Sequence, residues 1–176
     1  MMEEIILYFA LKYAGDFDKI YQALERKEKV DDELKEHLFK ELKSKYTTII
    51  SDDYPAALKE INCPPFVLFY YGDLNLVNTK CIGVIGMRQP SDYGIEVTKT
   101  IVSKLVLENY TIVSGMALGI DAMAHQSAMN VLGKTIAVLG SGIDNCYPLK
   151  NKAIYEIMKV NQLVISEYPG NLVPKK

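Results

Sequence analysis

The stretch Cys81-Ile-Gly-Val-Ile-Gly-Met-Arg-Gln-Pro-Ser91 decides the fold of this chain of 176 residues. Residues 81–85 are small or β-branched and too few for a helix, so they predict a buried strand. Apolar residues at helical spacing follow Ser91 and predict a helix over residues 91–108 that Ser91 caps. Gly86 and Arg88 therefore lie at a strand-to-helix turn, where free backbone N–H groups and the helix dipole favour an anion such as phosphate.

The alternation of strand and helix continues along the rest of the chain. Hydrophobic patterns predict helices over residues 119–131 and 150–160, and strands over residues 110–114, 134–140 and 162–166. Strands that alternate with helices of this length imply right-handed crossovers and parallel pairing. The predicted fold class is therefore α/β, with a Rossmann-like, doubly wound and mostly parallel sheet.

A different pattern precedes this region. Residues 3–13, 16–26 and 31–45 predict three short helices, with Asp16 and Asp31 as candidate N-caps. Strand-like runs at residues 46–50 and 66–71 flank a short turn or helix. We predict a helical N-terminal domain (1–45), a connecting segment with short strands (46–79) and the Rossmann-like domain (80–176).

Composition excludes several classes of protein. Hydrophobic residues make up 49% of the chain and charged residues 24%, as in ordinary globular proteins. No apolar stretch approaches the ~20 residues of a membrane span, and the acidic start Met-Met-Glu-Glu is unlike a signal peptide. Three widely spaced cysteines, Cys63, Cys81 and Cys146, favour reduced thiols over a disulfide framework or a zinc site. We expect a cytoplasmic protein that does not bind a membrane.

Charge is distributed unevenly along the chain, whose net charge is −2. Residues 80–176 carry ten Lys and Arg residues against seven Asp and Glu residues, an excess of three positive charges. This basic bias is modest, and by itself it does not indicate a nucleic-acid-binding protein.

Four glycine-bearing loops leave the predicted carboxyl edge of the sheet, where ligands of such folds bind. They comprise residues 86–91, 114–119, 140–144 and 167–170. Glycine lets the backbone approach a ligand closely, and Arg88 offers a fork of donors that suits phosphate. Hydroxyl groups are supplied by Ser91, Ser114 and Ser141. Alternatively, the glycines serve only tight turns and Ser91 only caps its helix, but four such loops on one edge favour a site for a phosphate-bearing ligand.

Two further features accompany these loops. Asp121 and His125 lie four residues apart on one predicted helix face, as a metal pair or a base with its orienting acid would. No third His or Cys has suitable spacing, so we predict no metal and expect an Asp121–His125 hydrogen bond that holds the preceding loop. Tyr147 follows the third loop and either stacks on a nucleic-acid base or packs under the loop.

Several catalytic motifs are absent from the sequence. It contains no P-loop lysine motif, no Gly-x-Ser-x-Gly elbow and no dinucleotide fingerprint after the strand at residue 81. Hydride transfer and ATP hydrolysis are therefore not predicted, and neither is a cofactor.

The strings at residues 81–91, 113–125, 134–148 and 165–170 strongly resemble those of the DNA-processing protein A (DprA, also Smf) family, in the same order and with the same spacing. Residues 54–72 also resemble the segment that precedes that family's Rossmann-like domain. The resemblance covers about residues 46–170. It departs at Met87, where the family commonly has serine or threonine, and at Leu118, where it commonly has arginine or another polar residue. Family members continue well beyond Gly170, so we expect this chain to be shortened relative to them.

The resemblance implies a bacterial cytosolic protein that binds single-stranded DNA without sequence preference. It further implies that the protein loads the recombinase RecA during natural transformation, has no catalytic activity and forms a homodimer. Residue by residue, it places a DNA-phosphate contact at Gly86 and Arg88. It matches Ser114, Gly115, Gly119 and Asp121 to the family's second pocket loop, and Gly140, Gly142 and Tyr147 to its third. The alternative is a nucleotide-binding enzyme similar to Rossmann-like phosphoribohydrolases, although their Pro-Gly-Gly-x-Gly-Thr loop does not occur here.

Overall fold

The computed structural model describes residues 2–174. Lys175 and Lys176, which contribute to the predicted positive excess, lie outside the described residues. The α-helices are α1 (Met2–Lys12), α2 (Phe17–Glu25), α3 (Asp32–Glu41), α4 (Ala56–Lys59), α5 (Asp92–Leu107), α6 (Ile120–Asn130) and α7 (Lys152–Asn161). The strands are β1 (Lys45–Thr48), β2 (Val67–Gly72), β3 (Cys81–Gly83), β4 (Thr111–Ser114), β5 (Thr135–Val138) and β6 (Leu163–Ser166). Short 3₁₀ helices cover Leu74–Asn78 and Leu149–Asn151.

All six strands form one sheet in the order β1-β2-β6-β5-β4-β3. The pairs β3–β4, β4–β5 and β5–β6 are parallel, whereas β1 and β2 are antiparallel to their neighbours. The predicted Rossmann-like α/β fold with a mostly parallel sheet is confirmed. Because the described parallel strands follow one another without a reversal of order, right-handed crossovers place α5, α6 and α7 on one face.

Three of the local predictions concern helix N-caps, and all three are confirmed. The carboxylates of Asp16 and Asp31 accept hydrogen bonds from the backbone N–H groups of Lys19 and Leu34, and the Ser91 hydroxyl accepts one from Gly94. These caps are local, because donor and acceptor are three residues apart, and the sequence pattern is therefore enough to find them.

Other predicted boundaries are wrong by a few residues. The third helix ends at Glu41 instead of residue 45, because Leu42 is already extended and Lys45 opens β1. Strand β3 ends at Gly83, although the Val84 N–H still donates to the Val113 carbonyl at 2.9 Å. The strand is also not buried as predicted, because it lies at the edge of the sheet with Cys81 and Gly83 exposed. The 3₁₀ helix at Leu74–Asn78, whose N-cap is Asp73, was not predicted.

Most helices pack on one face of the sheet, whereas Leu58 of α4 and Leu74 and Leu76 of the first 3₁₀ helix pack in a separate cluster on the other face. α1 and α7 bury Tyr8, Phe9 and Tyr155 against Phe69 of β2 and Val164 of β6. Further along the sheet, α5 and α6 pack on β4 through a second cluster of buried residues, namely Val102, Ile112, Ala124 and Ala128. The first helix thus shares its core with the sheet, and the N-termini of α5 and α6 are brought together at the carboxyl edge. In residues 2–174, no helix is both long enough and apolar enough to cross a bilayer.

Candidate nucleic-acid interface

Arg88 lines a pocket of about 170 Å³ at the carboxyl edge of the sheet, which we call the Arg88 pocket. The second predicted loop contributes Gly115, Ala117 and Leu118 to it, and the third loop and the residues after it contribute Gly140, Ser141, Tyr147 and Pro148. Three of the four predicted loops therefore meet at one place. The Arg88 side chain is exposed and forms no ion pair within residues 2–174.

Glycine is required where the first loop meets the second. Gly119 has a φ of +79°, and a Cβ atom there would collide with the Met87 carbonyl oxygen and lie 2.8 Å from the Arg88 carbonyl carbon. The Ile120 N–H donates to the same Met87 oxygen at 3.1 Å. Gly119 therefore lets the Arg88 loop lie directly on the start of α6, which fixes the position of the Arg88 backbone.

Two buried polar side chains fix the second loop. Asp121 accepts hydrogen bonds at Oδ2 from the backbone N–H groups of Gly115 at 3.1 Å and Ala117 at 3.4 Å. Asn151, just before α7, donates from Nδ2 to the Met116 carbonyl at 2.8 Å and the Ala117 carbonyl at 3.0 Å. The Gly115 N–H is thus already used inside the chain, so Gly115 lines the Arg88 pocket without offering this donor to a ligand.

The chain after β6 fixes the third loop. Backbone N–H groups of Gly142, Ile143 and Asp144 donate to carbonyls of Leu172, Tyr168 and Gly170, at distances of 2.8 to 2.9 Å. Gly142 is buried, and a Cβ atom on it would collide with the Gly170 carbonyl oxygen. Gly142 therefore serves packing and not ligand contact. The fourth predicted loop acts mainly as the support of the third.

Tyrosine hydroxyls add to this support. The Tyr71 hydroxyl donates to Asp144 Oδ1 at 2.5 Å, and the Tyr155 hydroxyl donates to the Ile143 carbonyl at 2.6 Å. Burial, together with the hydrogen bond to the carboxylate, raises the pKa of Tyr71 above its ordinary value. Both tyrosines were missed by sequence reasoning, because each lies on an element remote from the loop in sequence.

The three predicted serine hydroxyls have partners inside the chain. Ser91 Oγ accepts from the Gly94 N–H at 3.2 Å, Ser114 Oγ donates to the Val84 carbonyl at 2.7 Å, and Ser141 Oγ donates to the Asn145 carbonyl at 3.0 Å. Ser114 and Ser141 are also buried. These hydroxyls satisfy backbone groups of the loops themselves, so their predicted role as phosphate donors is not supported.

The predicted Asp121–His125 hydrogen bond is wrong. His125 lies one turn further into α6, over the sheet, and its Nδ1 is 2.7 Å from Thr135 Oγ1. Since the Thr135 hydroxyl donates its proton to the Ile112 carbonyl, His125 Nδ1 must carry the proton of the neutral ring. Burial lowers the pKa of His125 from 6.5 to about 4, so the ring is neutral at pH 7.

Backbone N–H groups without a partner remain on the first loop, which carries Arg88, and on the third loop. In the described part of the chain, the backbone N–H groups of Gly86, Met87 and Arg88 have no hydrogen-bond partner, and neither do those of Gly140 and Ser141. Of these residues, Arg88, Gly140 and Ser141 line the Arg88 pocket, where their N–H groups and the guanidinium are donors suited to an anion. Among the described residues, no group of three or more His, Cys, Asp or Glu residues could hold a metal ion.

Tyr147 stands at the rim of the Arg88 pocket with 58% of its surface exposed. The interpretation that it packs beneath the third loop is therefore wrong. Met87, which stands where the resembling family has a hydroxyl residue, is 70% exposed and adds an apolar surface beside Arg88.

The sequence profile of the DNA recombination-mediator protein A family matches residues 45–176. The chain belongs to this family. It is 44% identical over 128 residues to the protein Smf of Synechocystis sp., covering 70% of this chain and 32% of that protein. It is 41% identical over 149 residues to the DNA processing protein DprA of Streptococcus pneumoniae, covering 84% of this chain and 51% of that protein.

Two solved DprA structures resemble the fold. The X-ray structure of DprA from Streptococcus pneumoniae matches with a TM-score of 0.77 and 35% identity, covering 98% of this chain and 65% of that one. A structure on the single-stranded DNA binding mode of DprA from Helicobacter pylori matches with a TM-score of 0.67 and 32% identity, covering 76% of this chain and 60% of that one. The chain spans about a third to a half of the two curated relatives above.

Proposed function

We propose that this chain binds single-stranded DNA without sequence preference through the Arg88 pocket, in the cytoplasm, and without catalysing a reaction. Membership of a family of DNA recombination mediators supports the proposal, as does a DprA relative whose structure concerns single-stranded DNA binding. The observation that carries it is the unpaired Arg88 guanidinium beside free backbone donors of two loops.

The chemistry of these donors suits a phosphodiester backbone. A guanidinium forms two parallel hydrogen bonds to phosphate oxygens, and backbone N–H groups add further donors at a fixed distance. Both contact the phosphate and not the base, so they position a strand without reading its sequence. Non-specific binding follows from this choice of contacts.

Tyr147 supplies the contact with a base. Its exposed ring lies at the edge of the same pocket, and stacking of a base on an aromatic ring stabilises a complex by ~1–3 kcal/mol for any base. One phosphate at Arg88 and one base on Tyr147 form the smallest unit of the proposed contact.

We also propose, on the strength of the family, that the bound strand is passed to RecA during natural transformation and that the chain acts as a homodimer. The matching family is that of the DNA recombination-mediator protein A. Mixing the chain with RecA and single-stranded DNA should speed the formation of RecA filaments. Unchanged filament kinetics would reject the RecA part of the proposal and leave DNA binding as a separate question.

The DNA-binding proposal is tested with a fluorescent oligothymidine of about 20 nucleotides, long enough for sites of the size that single-strand binders use. Arg88→Ala should weaken binding by about tenfold and lower the slope of log affinity against log salt by ~0.7, because one phosphate contact is lost. Lys104→Ala, which removes an exposed charge near the C-terminus of α5, is the matched control.

Two outcomes contradict this proposal. Equal affinities for Arg88→Ala and the wild-type chain would exclude the phosphate contact. Release of free base from nucleoside monophosphates incubated with the chain would instead favour the nucleotide-enzyme alternative.

A further inference from the structure

Three cavities lie side by side along the carboxyl edge of the sheet. The Arg88 pocket shares Gly140 with a second cavity of about 270 Å³. That cavity shares Ala14 and Leu172 with a third, of about 630 Å³, which reaches the end of α3. We call this row the edge groove. It runs from Arg88, past the support of the third loop, to the N-terminal helices.

The far end of the edge groove is lined by Lys40 and Lys43. Both side chains are exposed, and neither forms an ion pair with any residue between Met2 and Pro174. Leu38 and Leu42, their neighbours in sequence, pack against the main core cluster. The lysines are therefore held at the groove by buried neighbours while their own charges stay free.

Carboxylates also face the groove, and each has a partner within the chain. Asp16 lies 3.5 Å from Lys19, which lines the middle cavity with it. Asp144 accepts the hydrogen bond from Tyr71, and Glu41 lies 3.7 Å from His37. Tyr71 carries no positive charge to offset Asp144, and only Asp16 is paired with a lysine. Arg88, Lys19, Lys40 and Lys43 nevertheless outnumber the three carboxylates by one, and Arg88, Lys40 and Lys43 have no carboxylate partner in the described chain.

We propose that the edge groove binds one strand of nucleic acid as a continuous path, with phosphates at Arg88 and again at Lys40 and Lys43. This inference rests on the proposed function and extends it to the N-terminal helices. Single-strand binders combine a positively charged groove with aromatic and apolar surfaces between the charges. Tyr13, Tyr168 and Val173 supply those surfaces in the middle cavity.

The lysines lie outside the region that the family profile matches, which begins at residue 45. The far end of the extended path, at Lys40 and Lys43, is therefore formed by the N-terminal part of this chain. It predicts that a long oligonucleotide gains affinity from contacts that a short one cannot reach.

The test compares oligothymidines of about 6 and about 25 nucleotides, below and above the length needed to span the groove. The double variant Lys40→Ala/Lys43→Ala should bind the long probe about fivefold more weakly, with a salt slope lower by ~1.4, and the short probe with unchanged affinity. Lys104→Ala/Lys134→Ala removes the same charge at the opposite edge of the sheet and should leave both affinities unchanged. Lys40→Arg/Lys43→Arg should restore binding of the long probe.

The result that overturns the extended path is a double variant that binds the long probe as tightly as the control double variant does. An equal loss for both probes would also overturn it, because that pattern reflects general charge and not a contact beyond the Arg88 pocket. Arg88→Ala should weaken both probes. If Arg88→Ala weakens binding of neither probe, the proposed function itself fails, whereas the two results above overturn only the extended path.

Discussion

The side-chain amide of Asn151 lies 2.8 Å from the Met116 carbonyl oxygen, although 35 residues separate them in the chain. This hydrogen bond ties the residue before α7 to the loop after β4, and a second one to Ala117 accompanies it. Asn151 does not line the Arg88 pocket, but it holds in place the loop that contributes Ala117 to it.

Asn151→Ala should destabilise the chain and weaken DNA binding together. The substitution leaves two loop carbonyls near a buried position without their donor, which costs about 1–3 kcal/mol in free energy of unfolding. Urea denaturation measures the loss, and Lys150→Ala, an exposed neighbour, serves as the control. A variant with wild-type stability and wild-type affinity would show that the loop holds its shape without Asn151.

Gly119→Ala should destabilise the chain by about 1–3 kcal/mol, because alanine is strained at its positive φ and its Cβ would meet the Met87 carbonyl. Gly83→Ala provides the comparison, since a Cβ atom on Gly83 meets nothing within 4 Å. The Gly119→Ala variant should have a lower midpoint of urea denaturation than the Gly83→Ala variant. If they coincide, the Arg88 loop can move away from α6 at little cost.

Tyr147→Ala should weaken binding of single-stranded DNA by about 5- to 150-fold, the equivalent of a lost stacking contact of ~1–3 kcal/mol. Tyr147→Phe should bind almost as the wild-type chain does, because the ring is retained. Stability should be unaffected in both, since the residue is exposed at the rim. A loss of affinity in the phenylalanine variant would mean that the hydroxyl, and not the ring, makes the contact.

His125 should make the chain less stable in mild acid. Its pKa is about 4 when folded and near 6.5 when unfolded, so between these values the unfolded chain binds more protons. Stability therefore falls as pH drops, by about 2 kcal/mol between pH 7 and pH 5 from this group alone.

The control for this pH effect is His125→Asn, whose amide can still donate to Thr135. Its free energy of unfolding should change less between pH 7 and pH 5 than that of the wild-type chain, and the difference isolates the histidine from the carboxylates. Parallel pH profiles for the two proteins would show that His125 is not the residue that senses acid.

Local sequence patterns predicted the strands, the helices and the three N-caps, since each depends on residues within a few positions of one another. Arg88 was found in the same way, because glycine and arginine at a strand-to-helix turn are a short-range signal. The set of free backbone donors was not predictable. Gly115 and Gly142 look like Gly86 and Gly140 in sequence, but Asp121 and the chain after β6 accept hydrogen bonds from the N–H groups of the first two. The end of α3 was missed because Lys45 joins a strand that pairs with distant β2.

The third loop donates hydrogen bonds to carbonyls of residues 168–172, which come after it in the chain. β6 ends at Ser166, just before this segment, and lies within the sheet between β2 and β5. The edge proposed to hold nucleic acid therefore takes its final shape only together with the middle of the sheet.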